Sequence, residues 1–370
     1  MGMNYNIRFR FRTVARLAAA VAVLLLSASC NRDKHEVLVE RPISMTAFEA
    51  DTRALVNNTN DLGSQSATTG FGVFGYKTIG TVDTYVFNNQ NVTAASEGSD
   101  GGYTWSYTPL KYWDMDAYYH FVAYWPHTTA SGVVSNDETN HKLTLNISNW
   151  QLVNGSETDW LIDADEGDAT DVYFGSSQAS DNGTVFFNFE HLLALIEVKA
   201  WYYGNESKVP TITSLDFGSE SYQVPSSDGT VNASRDYTTS STTVWSTITK
   251  ANSVQLAANS TLTAFSTDEN GDNFFPPTTD GSVQEINTVC QWLVVPFATA
   301  DCPMTVKYKI GDTGTVMEAV IDDTTFETLV SGKKYTLTLK FNTKTNTLDP
   351  ISVLVRDWKD ITVEDERYNW

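Results

Sequence analysis

Apolar and polar residues alternate with a period of two along most of this chain, and helical spacing is nearly absent. Ile43, Met45 and Ala47 alternate with Ser44, Thr46 and Phe48, which predicts a first strand. The run from Phe71 to Tyr76 reads as a second strand, whose Gly72 and Gly75 suggest a bulge or a close backbone approach. Further strands are expected around Tyr85–Phe87, Tyr103–Tyr107 and Tyr118–Trp125. In the last of these, Tyr119, Phe121, Ala123 and Trp125 share one face, and Tyr118, His120, Val122 and Tyr124 share the other. Both faces are bulky, so this strand is expected in the middle of a sheet, ending at Pro126. Leu143–Ile147, Val185–Phe189 and Leu192–Lys199 continue the series, and only a turn or two around His191–Leu195 has helical spacing.

After Tyr203 the run GNESKVPTITSLDF marks a polar break, and a domain boundary is expected near Gly204. New strands are predicted at Ile212–Phe217, Val254–Leu256, Leu262–Phe265, Val289–Val295, Met304–Ile310 and Val316–Ile321. A turn at Ser331-Gly332 then leads into a long alternating strand to Phe341, and Ile351–Trp358 and Ile361–Val363 close the chain. Many short strands separated by turn residues argue for an all-β protein built of sandwiches, and 370 residues suffice for two of them.

The first thirty residues read differently. Arg8, Arg10, Arg12 and Arg16 precede an apolar run from Leu17 to Leu26, and the small residues Ser27, Ala28 and Ser29 stand before Cys30. That is the layout of an export signal. As a helix the run rises only about 15 Å, against a membrane core of roughly 30 Å. Cys30 is placed as in a lipobox, where its thiol would be acylated and the residue would become the mature N-terminus. The alternative is an ordinary secretory signal with a chance cysteine.

Composition narrows the partners. The net charge of −21 argues against nucleic acid and anionic membrane surfaces. Abundant Thr, Ser, Asn, Tyr and Trp fit the surface of an exported β protein. Cys290 and Cys302 lie in neighbouring segments read as a hairpin turning near Phe297–Asp301. That register keeps them beyond the roughly 7 Å between Cα atoms that a disulfide needs, so two free buried thiols are expected.

Little in the sequence points to catalysis. The acidic run Asp163, Asp165, Glu166, Asp168, Asp171 lacks the glycine and glutamate positions of an EF-hand, with Gly167 fifth and Phe174 twelfth, and reads as a solvated loop. The five histidines have no zinc-ligand spacing. No nucleophile elbow or phosphate-cradling glycine loop is visible. No metal, cofactor or catalytic residue is therefore expected. Ten tryptophans could stack on glycans, although most fall in strand patterns where burial is the commoner fate. Thr52-Arg53-Ala54, just after the first strand, offers an exposed arginine to a processing protease; Arg41 is a poorer site because Pro42 follows it.

The order of these features resembles the fimbrillin family, the subunits of protease-assembled type V pili of Gram-negative anaerobes. The residues that carry the resemblance are Cys30, the first strand, Thr52-Arg53-Ala54, Tyr119-x-Phe121-x-Ala123-Tyr124-x-Pro126 and Phe189-x-His191-x-Leu193. They continue with Leu293-Val294-Val295-Pro296, Gly332-Lys333-x-Tyr335 and Val353-x-Val355-x-x-Trp358. The resemblance implies two transthyretin-like β-sandwich domains in tandem. It divides the chain into a signal peptide (1–29), a propeptide with a removable first strand (30–53), and sandwiches at 54–203 and 204–370.

The resemblance also implies a non-enzymatic pilus subunit serving adhesion, lipidated at Cys30 in the outer membrane and then cut between Arg53 and Ala54 by an arginine-specific or trypsin-like protease. The subunit then joins other pilin subunits in an extracellular fimbria by donor-strand exchange. The donor strand would come from Ile351, Val353 and Val355 or from Ile361 and Val363. The alternatives are an anchor or tip pilin, or a monomeric glycan-binding surface lipoprotein.

Overall fold

A computed structural model describes residues 41–49, 62, 69–97, 103–114, 117–148, 159–163, 172–173, 184–205, 207–220, 224–225, 230–236, 242–261, 288–298, 303–311, 314–321, 328–349 and 352–357. The chain divides into a leading unit, Met1–Pro42, of which only Arg41 and Pro42 are described, and a body, Ile43–Trp370. The protein is all-β: among the described residues every element with defined bounds is a strand.

The largest sheet has eight strands. Its order is Ser44–Glu49, Thr184–His191, Leu161–Asp163, Tyr118–Trp125, Phe71–Ile79, Val82–Glu97 and Tyr103–Ser106, with Val172–Tyr173 paired to Tyr118–Trp125. Tyr118–Trp125 lies in its middle and, from Phe121 onward, is buried on both faces. Tyr119, Phe121, Ala123 and Trp125 enter one core with Phe71, Val73, Val185, Phe187 and Phe189. Val122 and Tyr124 enter a second core on the opposite face, with Phe74, Leu143, Trp160 and Leu195. Two-sided burial explains why this strand reads as continuously bulky. Gly72 serves the same packing: a Cβ there would stand 2.3 Å from the Tyr124 ring, so only glycine lets that ring lie against the neighbouring backbone.

A four-stranded sheet supplies much of the second core. Its order is Val244–Ser246, Thr230–Asp236, Lys142–Ser148, Val134–Asp137, so a strand from beyond Gly204 pairs along its length with one from before it. Leu143, Leu145 and Ile147 face inward with Val231 and Ala233, and Thr144 Oγ1 meets Ser234 Oγ at 3.0 Å. Thr230–Asp236 escapes the sequence reading because its inward residues are few and small.

Two more sheets enclose a third core. One has the order Thr288–Val294, Ala194–Tyr203, Lys333–Asn342, Thr347–Leu348, with Ser352–Asp357 also paired to Lys333–Asn342. The other runs Val254–Thr261, Pro210–Phe217, Met304–Ile310, Met317–Ile321. Ile196, Val198, Trp292, Leu337 and Leu339 of the first meet Ile212, Leu215, Phe217 and Val306 of the second.

This arrangement corrects two expectations. Thr288–Val294 and Met304–Ile310 do not form a hairpin; they belong to different sheets on opposite sides of one core. The chain crosses between layers after Pro296, which has no N–H for a ladder, and Phe297–Ala298 pairs with Thr328–Leu329. Cys290 is a free, half-buried thiol that burial and the Glu197 charge push up to about 12; Cys302 lies outside the described residues. Around His191–Leu195 the chain bends at Leu192-Leu193 instead of making a helical turn, and it passes there from the first sheet into the third.

Glu197 is buried among strands and well partnered. Lys334 Nζ lies 2.9 Å from its carboxylate, and Gln291 Nε2 donates to it at 2.9 Å. Burial pushes its pKa up, but Lys334, Gln291 and Lys199 outweigh that, so it titrates below its ordinary value. A depressed folded pKa adds stability above the usual carboxylate range and loses it as pH falls through that range. Glu197→Gln is therefore expected to lower the urea midpoint most at neutral pH, with the gap to wild type closing as pH falls through and below the ordinary carboxylate range. A gap that stays constant over that range counts against the ion pair as its cause.

Candidate functional site

Ser44–Glu49 forms one edge of the eight-stranded sheet and, among the described residues, pairs in parallel only with Thr184–His191. Its register runs from Ser44 opposite Thr184 to Glu49 opposite Phe189. Inward-facing Ile43, Met45 and Ala47 are 1%, 5% and 0% exposed, whereas Ser44 is exposed and Thr46 half-buried. A strand with one apolar face and a period of two can dock in this register and not in one shifted by a residue.

The groove that receives it is aromatic. Val185, Phe187 and Phe189 on the neighbouring strand share its core, and Phe71 sits centrally. The Phe71 ring centroid lies 5.1 Å from Trp105, 5.7 Å from Phe187 and 5.5 Å from Phe189, each in an edge-to-face arrangement. One end of the strand is tied down by polar contacts. The Ile43 N–H donates to the Lys111 carbonyl at 2.8 Å, and the Tyr107 hydroxyl donates to the Ile43 carbonyl at 2.6 Å. Burial raises the Tyr107 phenol pKa, so it remains a donor at neutral pH.

Two properties set this strand apart from the others. It precedes every other strand among the described residues, so one cut between Glu49 and Phe71 would separate it from them without severing another of them. It also sits at an edge, so its loss leaves the remaining ladders intact. The empty site would expose the backbone groups of Thr184–Phe189 and a row of aromatic side chains, both unfavourable in water.

The predicted site residues are distributed unevenly. Cys30, Arg53, Ala54, Ile351, Ile361 and Val363 lie outside the described residues. Val353 and Val355 are in Ser352–Asp357, opposite Leu337 and Tyr335. Val353 packs partly against the third core, while Leu354 and Val355 are 38% and 41% exposed. This second edge strand is thus held less tightly by side-chain burial than the first. Among the described residues no group of three or more His, Cys, Asp or Glu is placed to hold a metal ion, and no helix is long and apolar enough to cross a membrane.

The sequence reading missed the polar residues behind the groove wall. Arg235 reaches from Thr230–Asp236 to Glu190 and to the Asp163 carbonyl, and His191 Nδ1 lies 2.8 Å from Asp159 Oδ2. Phe189-x-His191 was visible as a motif, but nothing local to Arg235 signals its partners.

Comparison with known proteins bears on this geometry. Comparison with curated protein sequences returned no significant match. Among solved structures, a fimbrial protein from Bacteroides vulgatus superposes with a TM-score of 0.52 at 17% identity, covering 86% of this chain and all (100%) of that one. At that identity the likeness is one of fold. A candidate cell adhesion protein from Bacteroides uniformis gives 0.48 at 16% identity, covering 86% and 99% of the two chains. The tip fimbrial protein Mfa3 of Porphyromonas gingivalis, with a C-terminal truncation, gives 0.38 at 9%, covering 86% and 100%. The last two are too distant to bear on function. The fimbrillin-like family model matches residues 52–358, most of the body that the sheets define. By that match the chain belongs to the fimbrillin-like family.

Proposed function

We propose that this protein is a structural, non-catalytic subunit of a cell-surface fimbria that serves adhesion and polymerises by strand exchange. The observation that carries the reading is the first strand, an edge element filling an aromatic groove and followed within a few residues by Arg53. In this reading the precursor is exported, lipidated at Cys30 and held at the outer membrane until a trypsin-like or arginine-specific protease cuts after Arg53. The groove then takes a strand from another subunit. Such a contact is head-to-tail, the interface type that grows an open filament when the rotation between subunits does not close. The mature protein comprises sandwiches at 54–203 and 204–370, although Thr230–Asp236 crosses that line to pair with Lys142–Ser148.

One sequence feature favours the earlier of the two tail segments as donor. Pro42-Ile43-Ser44-Met45 at the first strand is matched by Pro350-Ile351-Ser352-Val353 at the tail. Laid in the same direction, Ile351 takes the place of Ile43, Val353 that of Met45 and Val355 that of Ala47. The tail would thus present the same alternation to the groove as the strand it replaces.

The test is the N-terminus of sheared surface filaments, read by mass spectrometry. Ala54 is expected. A lipidated Cys30 at the start of all surface material overturns the exchange reading and points to an uncut anchor or a monomeric glycan-binding lipoprotein.

A further inference from the structure

The strand that walls the groove is held very unequally on its two sides. Thr184–His191 pairs with the first strand over six positions, from Ser44 to Glu49, but with Leu161–Asp163 over only three, from Phe189 to His191. Among the described residues, Thr184–Asn188 therefore has ladder partners only in the strand that is to be removed. Besides the packing of Val185, Phe187 and Phe189 in the first core, polar attachments remain near its other end. The Asn188 N–H donates to Asp163 Oδ1 at 3.1 Å. Arg235 Nη1 donates to the Asp163 carbonyl at 2.5 Å, and Nη2 donates to the Glu190 carboxylate and, at 3.1 Å, to Thr243 Oγ1.

Arg235 is only 3% exposed, while its partner Glu190 is 45% exposed. Burying a guanidinium is costly, and an ion pair to a half-exposed carboxylate offsets little of that. What the fork does supply is geometry: it ties Glu190 on the groove wall to Asp163 on the next strand, from a strand of another sheet. We propose that Arg235 is a positioning residue that keeps the groove wall in place once the first strand has gone. The inference rests on the reading of that strand as removable. With the strand present the wall has its ladder and Arg235 is largely redundant. With the strand gone, Arg235 keeps the site preorganised, which lowers the ordering cost of binding the next strand.

The test uses the full-length chain with a specific protease site inserted between Ala50 and Leu55, in wild-type, Arg235→Met, Arg235→Lys and Glu190→Gln forms. After cutting, rebinding of a labelled peptide of residues 41–50 is measured, with amide hydrogen exchange over Thr184–Asn188. Before cutting, the variants are expected to melt close to wild type. After cutting, Arg235→Met should bind the peptide at least tenfold more weakly and exchange faster over the wall, with Arg235→Lys between it and wild type. Equal affinity and exchange for cut Arg235→Met and cut wild type overturn the inference. If Arg235→Met does not fold uncut, Glu190→Gln and Arg235→Lys carry the comparison, and wild-type behaviour from both overturns it. Failure of cut wild type itself to release and rebind the peptide defeats the removable-strand reading, and the inference with it.

Discussion

A chain ending at Asp349 is expected to fold, to be cut after Arg53, and to remain monomeric where the full chain forms SDS-resistant ladders. The loss should be complete, because the truncation removes every candidate donor residue, Ile351, Val353, Val355, Ile361 and Val363. Folding should survive. Ser352–Asp357 pairs at one side of Lys333–Asn342, and of its described side chains Leu354 and Val355 are well exposed and Val353 is half-buried. A chain ending at Trp358 separates the two segments. Ladders from it assign the donor to Ile351–Val355, as the repeated Pro-Ile-Ser favours, and monomers assign it to Ile361–Trp370. Ladders from the chain ending at Asp349 overturn donation by the tail.

Phe71→Ala is expected to have the largest effect on stability, a loss of about 3–5 kcal/mol. Phe71 is fully buried in the first core and touches Trp105, Phe187 and Phe189 edge-on. Its removal leaves a cavity among rigid rings that cannot easily close over it, so the lost contacts add to the lost burial. The cavity also lies against Phe187 and Phe189 of the strand that pairs with the first one, so the variant should release the 41–50 peptide faster after cutting. Urea denaturation of the uncut protein measures the first effect. A loss under about 1 kcal/mol would mean the aromatic cluster repacks and is not the rigid floor described.

Both experiments depend on elements that were legible to different degrees. The first strand could be read directly, since Ile43, Met45 and Ala47 alternate with polar neighbours and nothing distant is needed to see it. The two-faced burial of Tyr118–Trp125 was legible for the same reason: both sets of side chains are bulky in the sequence. Its Gly72 neighbour was flagged as a close approach, and the Tyr124 ring is what approaches. By contrast Thr230–Asp236 offers only Val231 and Ala233 as inward residues, too weak a pattern to mark a strand.

The supposed hairpin around Phe297 shows a different limit. Both flanking segments were read as strands and both are strands, yet they lie in opposed layers. A short connection serves a hairpin within one sheet or an arch across a core equally well. The choice fell to which partners, Ala194–Tyr203 on one side and Pro210–Phe217 on the other, could bury Trp292 and Val306 against each other.

Side-chain periodicity is a property of a few consecutive residues, so the chain's own order of residues sufficed for the strands with a clear inward row, the all-β class and the arginine behind the first strand. Pairing joins residues far apart, and its energy comes from a shared core that exists only after collapse. The parallel docking of Ser44–Glu49 on Thr184–His191, the exchange of strands across Gly204 and the reach of Arg235 to Glu190 are therefore decisions of the tertiary structure.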